Sequence, residues 1–165
     1  MTIQTRLGAL YPNAKYSFDT DVYITIWRYY YPQDVFIKLW EDFEKLIKER
    51  VILSTYAVKK ELSRQRDEIY NFIRQFPNLF VSPTEEEQQI VQFLVNHEDF
   101  DKWSSGSSES NYADPYVVAL AKVHNLKVVT YEVYQKRNKI PRACEILDVE
   151  CIKFVDFLRE EHLTY

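Results

Sequence analysis

The sequence predicts an α/β domain, a mostly parallel sheet with helices on both faces. Short β-branched and aromatic runs alternate along the chain with longer segments whose apolar residues recur at three and four, the helical period. Strands separated by helices pair in parallel, because each crossover lays its helix on a sheet face. At 165 residues, with 46% hydrophobic and 16% aromatic content, the chain can fill one sizeable core, and no repeat or linker divides it.

A first strand is expected over residues 15–19, leading into VYITIWRYYY, which Pro32 breaks. Over 34–50, Val35, Phe36, Leu39, Trp40, Phe43, Leu46 and Ile47 follow the helical period, with Asp34 at the N-cap. VILS, residues 51–54, is a strand, and a long helix follows over 56–76. On that helix Val58, Leu62, Ile69 and Phe76 share one face, Glu61 borders it, and Lys59, Lys60 and Ser63 take the outer arc. Ser82-Pro83-Thr84-Glu85 has capping-box spacing with proline at the first helical position, and Ile90, Val91, Phe93 and Leu94 form one face of the next helix.

The serine-rich stretch DKWSSGSSESNY, 101–112, reads as a mobile loop. Asp114 and Pro115 then read as N-cap and first residue of a helix that buries Val117, Val118, Leu120 and Ala121 and stops at Asn125. LKVVTYE is a strand ending at Glu132. After the basic loop QKRNKIPRA come a short helix near 143–147, a strand over 149–152 and a closing helix over 153–161.

Several chemistries are excluded early. Gly8 and Gly106 are the two glycines, so no glycine-rich phosphate loop can be written. His97, His124 and His162 are scattered without metal-ligand spacing, and Cys144 and Cys151 without a CxxC spacing read as reduced thiols. A formal net charge of -4 argues against gripping nucleic acid with the whole surface, while leaving room for a local basic patch. No apolar run reaches the roughly 18 residues of a membrane span, and the N-terminal stretch lacks the apolar core of a signal peptide, so a cytoplasmic protein is expected.

Carboxylates are left to carry any chemistry. In a parallel α/β sheet, functional groups collect beyond the carboxyl ends of the strands. Asp19 and Glu132 end strands, Asp114 opens a helix that returns to that edge, and Glu61 follows a strand by a turn or so. Taken singly, Asp114 is an ordinary cap, Glu61 a stem shielding apolar surface or a partner of Arg64, Asp19 and Asp21 a strand end merging into a turn, and Glu132 an exposed terminus. Taken together they form a carboxylate set that would repel unless a cation were present, and oxygen-only clusters suit Mg²⁺ or Mn²⁺. The natural substrate of such a cation is a phosphodiester.

The same residues resemble the PIN-domain nucleases, and within them the VapC-like toxin branch, over nearly the whole chain after residue 15. FDTDVYI is similar to the family's first motif, a strand ending in Asp followed by a small hydroxyl residue, and STYAVKKEL to the second, with Glu61 as its acid. ADPYVVALAKVHNLKVVTYE is similar to the third and fourth, an Asp opening an alanine-containing helix and a strand ending in Thr-x-acid. WRYYYP, LW, VVTYE and KIPRACEILDVECIKFVDFLRE resemble a PIN-like subgroup described as a domain of unknown function.

The resemblance implies a PIN-like three-layer fold with four to five strands, a single domain over 15–165 and an N-terminal extension over 1–14. It also implies that the strand stops at Asp19 and that VYITIW continues as helix. The activity implied is that of a metal-dependent endoribonuclease, the toxin of a toxin-antitoxin pair. Asp19, Glu61, Asp114 and Glu132 would surround Mg²⁺ or Mn²⁺, with Thr130 as polar support. The partners implied are an RNA substrate and a cognate antitoxin protein, with room for a homodimer and no membrane. Lys136, Arg137, Lys139 and Arg142, in the loop that follows Glu132, are the residues expected to contact RNA phosphates.

Two departures stand out: the fourth acid is Glu132 where the broader family usually has Asp, and Asp21 stands where a neutral polar residue is commoner. Two alternatives stay open. Asp19-Thr20-Asp21-Val22 fits the DxD opening of haloacid-dehalogenase-type phosphatases, with Asp19 as nucleophile and Asp21 as general acid, although that family's later glycine- and double-aspartate-bearing loop has no counterpart. The other is a catalytically inactive PIN-like module that binds a partner protein.

Overall fold

The computed structural model describes residues 9–104 and 112–165. Five short strands, β1 (Tyr16–Phe18), β2 (Ile52–Thr55), β3 (Phe80–Val81), β4 (Lys127–Val129) and β5 (Cys151–Ile152), form a sheet of order β3-β2-β1-β4-β5. Every pairing is parallel, and β1 holds the centre, with Tyr16 opposite Ile52 on one side and Lys127 on the other. The chain winds outward from β1 through β2 to β3, then restarts on the far side with β4 and β5. That reversal opens a crevice beyond the carboxyl ends of β1 and β4.

Side chains alternate across β1, which sets the two layers beside the sheet. Phe18 enters an aromatic cluster, with ring centroids 5.1 Å from Phe157, 5.7 Å from Tyr23 and 5.8 Å from Phe43. These rings come from α1 (Thr20–Thr25), α2 (Ile37–Lys48) and α9 (Phe154–Glu160). On the other face Ser17 is small, and its hydroxyl donates to the Val117 carbonyl at 2.9 Å. That bond seats α7 (Asp114–His124), whose Ala119 and Ala121 are buried. The result is the predicted three-layer α/β arrangement.

β1 stops at Phe18 and α1 starts at Thr20, so VYITIW is helical, as the resemblance implies; α1 runs on into a π-helical turn at Ile26–Tyr30. Other boundaries move. The helix expected over 56–76 is two, α3 (Tyr56–Gln65) and α4 (Glu68–Ile73), broken at Arg66, whose φ of 47° is left-handed, and restarted by Asp67 accepting from the Tyr70 N–H. Its inward face survives the break, since Val58, Leu62, Ile69 and Phe76 are all buried. Asp34 is not a cap: Val35 and Phe36 both donate to the Pro32 carbonyl, and this turn delays α2 to Ile37.

The capping box belongs to Thr84 and Glu87 rather than Ser82 and Glu85, and starts α5 (Glu85–Val95). Glu87 is chosen because it is buried, where its Oε2 takes both the Thr84 N–H at 2.9 Å and His124 Nε2 at 3.2 Å. At α7 the cap position falls to Ala113, with Asp114 and Pro115 as the first helical residues; Asn125 ends the helix in the left-handed region, as predicted. Strand LKVVTYE ends at Val129, so Glu132 lies beyond it. Within the serine-rich stretch, Asp101–Ser104 is a short helix, α6, and residues 105–111 lie outside the described residues. The helix near 143–147 is α8 (Ile140–Leu147), with Pro141 in its first turn. The expected strand over 149–152 shortens to Cys151–Ile152.

In the described part of the N-terminal extension, Tyr11 packs edge-on to His124 at 4.8 Å, with the Arg50 guanidinium 5.1 Å from its ring. Cys144 and Cys151 are free thiols. Among the described residues no helix is long and apolar enough to cross a membrane. Phe43 touches the rings of Phe18, Tyr23, Trp40, Phe154 and Phe157. Phe43→Ala is therefore expected to destabilise the fold by about 3–5 kcal/mol, read from urea unfolding, and a loss under about 1 kcal/mol would contradict this packing.

Candidate functional site

Asp19 occupies the position after β1 with extended backbone, φ -78° and ψ 155°, and its N–H still pairs with the Val129 carbonyl at 3.0 Å. Its Oδ1 takes the Thr20 N–H at 2.7 Å, and its Oδ2 takes the Thr130 hydroxyl at 2.8 Å. Thr130, one residue past β4, in turn accepts the Glu132 N–H at 3.2 Å. The ends of the two central strands are thus tied through one carboxylate, itself only 4% exposed.

Glu61 faces the protein rather than its own helix surface. Its Oε2 accepts the Thr20 hydroxyl at 2.6 Å and its Oε1 the Ala113 N–H at 2.9 Å. One side chain therefore joins α3, the start of α1 and the start of α7. Glu132 is held by the Ile140 N–H at 2.8 Å on Oε2, with Lys139 Nζ 3.7 Å from Oε1. Asp114 is 6% exposed, and its Oδ2 is buried with no hydrogen-bond partner among the described residues; the same is true of Asp21 Oδ1.

All five carboxyls are pushed above the ordinary carboxylate range, and burial is the largest cause for each. Asp19 is raised further by Asp21 and Asp114, and Asp114 by Glu132, Glu61 and Asp21. Lys139 opposes this at Asp21, Asp114 and Glu132, and Arg64 at Glu61. The expected acids thus share one electrostatic environment. Among the described residues, however, no three Asp, Glu, His or Cys side chains are gathered into a ready-made metal cage. The oxygens of Glu61 and Glu132 are occupied by backbone N–H groups and by Thr20.

The basic loop divides. Arg142 pairs with Asp99 at 2.9 Å and Glu145 at 3.0 Å, while Arg137 bonds the Glu98 carbonyl and lies 3.9 Å from both Asp99 and Asp101. These arginines pin the loop to residues 98–101. Lys136 stands 4.8 Å over the Tyr134 ring, and Lys139 is the loop cation beside the acids. Sequence reasoning missed the anchoring of Glu61 by Thr20 and Ala113. The hydroxyl after Asp19 was the visible signal, but the partner depends on strand order.

Residues 16–165 match the family described as a domain of unknown function, DUF4411. The chain belongs to this family. A solved structure described as FitAB bound to an IR36 DNA fragment aligns with 84% of this chain and 94% of that chain at 14% identity, with a TM-score of 0.49, a likeness too remote to bear on function. No curated protein matches the chain.

In this DUF4411 domain the raised carboxyls make a signed prediction. A carboxyl whose folded pKa lies above its unfolded value contributes stability that is complete below about pH 4 and is lost as pH rises through the folded value. In chelator, wild-type stability should therefore fall as pH climbs from the carboxylate range toward neutrality, and Asp19→Asn and Asp114→Asn should each flatten that fall. Urea midpoints across pH would show it; parallel curves for all three proteins would contradict a strained carboxylate cluster.

Proposed function

We propose that this chain is a metal-dependent endoribonuclease that hydrolyses RNA phosphodiesters at the carboxylate site, in the manner of the PIN-domain nucleases its motifs resemble. The observation that carries this is Asp114 Oδ2, a buried carboxylate oxygen without a donor among the described residues, beside Asp19, Asp21 and Glu132. An unpaired buried charge is costly, and a hard divalent cation relieves it where carboxylates gather. Asp19, Glu61, Asp114 and Glu132 are the residues that would hold Mg²⁺ or Mn²⁺. Such an ion supplies an activated water and neutralises charge developing on the phosphodiester.

The chain's own groups do the rest. Thr130 and the Thr20 N–H fix the Asp19 carboxyl, and the Thr20 hydroxyl and Ala113 N–H fix Glu61, so both acids are held in one orientation. Lys139 lowers the negative field at the rim of a protein whose net charge of -4 otherwise repels a polyanion. Burial raises the proton affinity of Asp21 and Glu132 above that of an ordinary carboxylate, and Lys139 opposes the rise at both. The resemblance also supports the role of toxin, with an antitoxin protein as partner.

The test is incubation with single-stranded and structured RNAs in Mg²⁺, Mn²⁺ or chelator. Cleavage should require the cation. Asp19→Asn and Asp114→Asn should each lower it by about a hundredfold or more, because the charge stabilisation being removed is worth several kcal/mol. Asp114→Asn should melt no lower than wild type, since Ala113 holds the cap position. Cleavage in chelator, or a fully active Asp114→Asn, would contradict the proposal, and turnover of a phosphomonoester with RNA untouched would favour phosphatase chemistry instead.

A further inference from the structure

A second cationic surface lies on the helix that carries Glu61. α3 begins at Tyr56, directly after β2, and its first turns carry Lys59, half-buried, and Lys60, exposed. Among the described residues neither lysine is in an ion pair, unlike Arg137 and Arg142. Their ammonium groups stand over aromatic rings instead. Lys60 Nζ lies 5.4 Å from the centre of the Tyr56 ring and 5.8 Å from that of Tyr112, and Lys59 Nζ lies 5.9 Å from those of Tyr56 and Phe80. Tyr56 is 43% exposed and Tyr112 39%, and the Tyr112 ring continues to Tyr116 at 5.8 Å.

This patch is joined to the site by the chain itself. Lys60 precedes Glu61, and Tyr112 precedes Ala113, whose N–H holds Glu61, and Asp114, whose Oδ2 has no donor among the described residues. A ligand lying over Lys60 therefore reaches the point where Glu61 and the start of α7 meet.

We infer that Tyr56, Lys59, Lys60 and Tyr112 form a binding track for a single-stranded nucleic acid, the lysines neutralising phosphates and the two exposed tyrosines stacking bases. The inference deepens the phosphodiesterase reading above and rests on it. Two cations in no ion pair among the described residues, on a chain of net charge -4, are a local exception to the overall field, and a polyanion answers them. An acidic peptide would satisfy the lysines but its carboxylates offer the exposed tyrosines nothing to stack on, whereas every base offers a π-face beside its phosphate. In a duplex those faces are stacked on one another, which favours a single strand.

The test is fluorescence anisotropy of a short unstructured RNA against salt, in chelator so that binding is read without cleavage. Lys59→Ala with Lys60→Ala should flatten the slope of log K against log salt by about 1.4, at about 0.7 per phosphate contact. Tyr56→Ala and Tyr112→Ala should each weaken binding by about tenfold, while Tyr→Phe at either position retains it. Melting curves check folding, and Tyr112→Leu replaces Tyr112→Ala if the latter melts early. Affinity and slope unchanged in these variants would overturn the track, as would equal binding of poly-glutamate with the same residue dependence. A wild type that cleaves RNA but binds it independently of these four residues keeps the nuclease and removes the track. One that binds through them yet cleaves nothing with Mg²⁺ or Mn²⁺ keeps the track and removes the nuclease.

Discussion

Carboxylates buried together with too little positive charge repel, and the site of this protein is organised around that constraint. Asp19 and Asp114 are nearly inaccessible, Asp114 raises the proton affinity of Asp19 and is itself raised by Glu132, Glu61 and Asp21, and Lys139 is set against several acids at once. The fold tolerates this because other groups fix the acids. Asp19 bridges the ends of β1 and β4 through Thr130, and Glu61 bridges three helices through Thr20 and Ala113. The bonds that position the acids are also bonds that hold the layers together, so strain and scaffold are the same set of contacts.

Packing decides where those acids fall. Phe18 belongs to the aromatic layer and Ser17 to the face of α7, and a one-residue slip of β1 would exchange them. It would also part Asp19 from Thr130, which are neighbours because Phe18 pairs with Val129. The hydroxyl of Ser54 adds a further lock, donating to the Phe18 carbonyl at 3.0 Å and meeting the Tyr23 hydroxyl at 2.6 Å. The register of the central strand is thus determined on both faces, within a residue of the site.

Much of this was legible beforehand, and the misses share a cause. Periodicity placed the buried face of α3 and α4 correctly even though the helix breaks at Arg66, because burial, not helix length, sets which residues turn inward. Local signals failed where a distant partner competes: Glu87 takes the capping role by reaching His124, and Pro32 captures the N–H groups that would have let Asp34 cap α2. In the site, Asp19, Glu61, Asp114 and Glu132 were all nameable as acids at element ends. Their bonds were not, since Thr20–Glu61 and Ala113–Glu61 require the strand order. Charge alone singled out the loop, but it did not show that Arg137 and Arg142 meet Asp99, nor that Lys59 and Lys60, in no ion pair among the described residues, stand beside aromatic rings.

The central claim is that these acids are a divalent-cation site, and calorimetric titration of chelator-stripped protein with Mn²⁺ tests it most directly. Because the carboxyls hold protons more tightly than ordinary ones, binding should release protons, and the measured heat should vary with the ionisation enthalpy of the buffer. The account predicts saturable binding with proton release in wild type and a loss of affinity of about tenfold or more in Asp114→Asn. Absence of binding in wild type, or binding of equal strength in the variant, would contradict it.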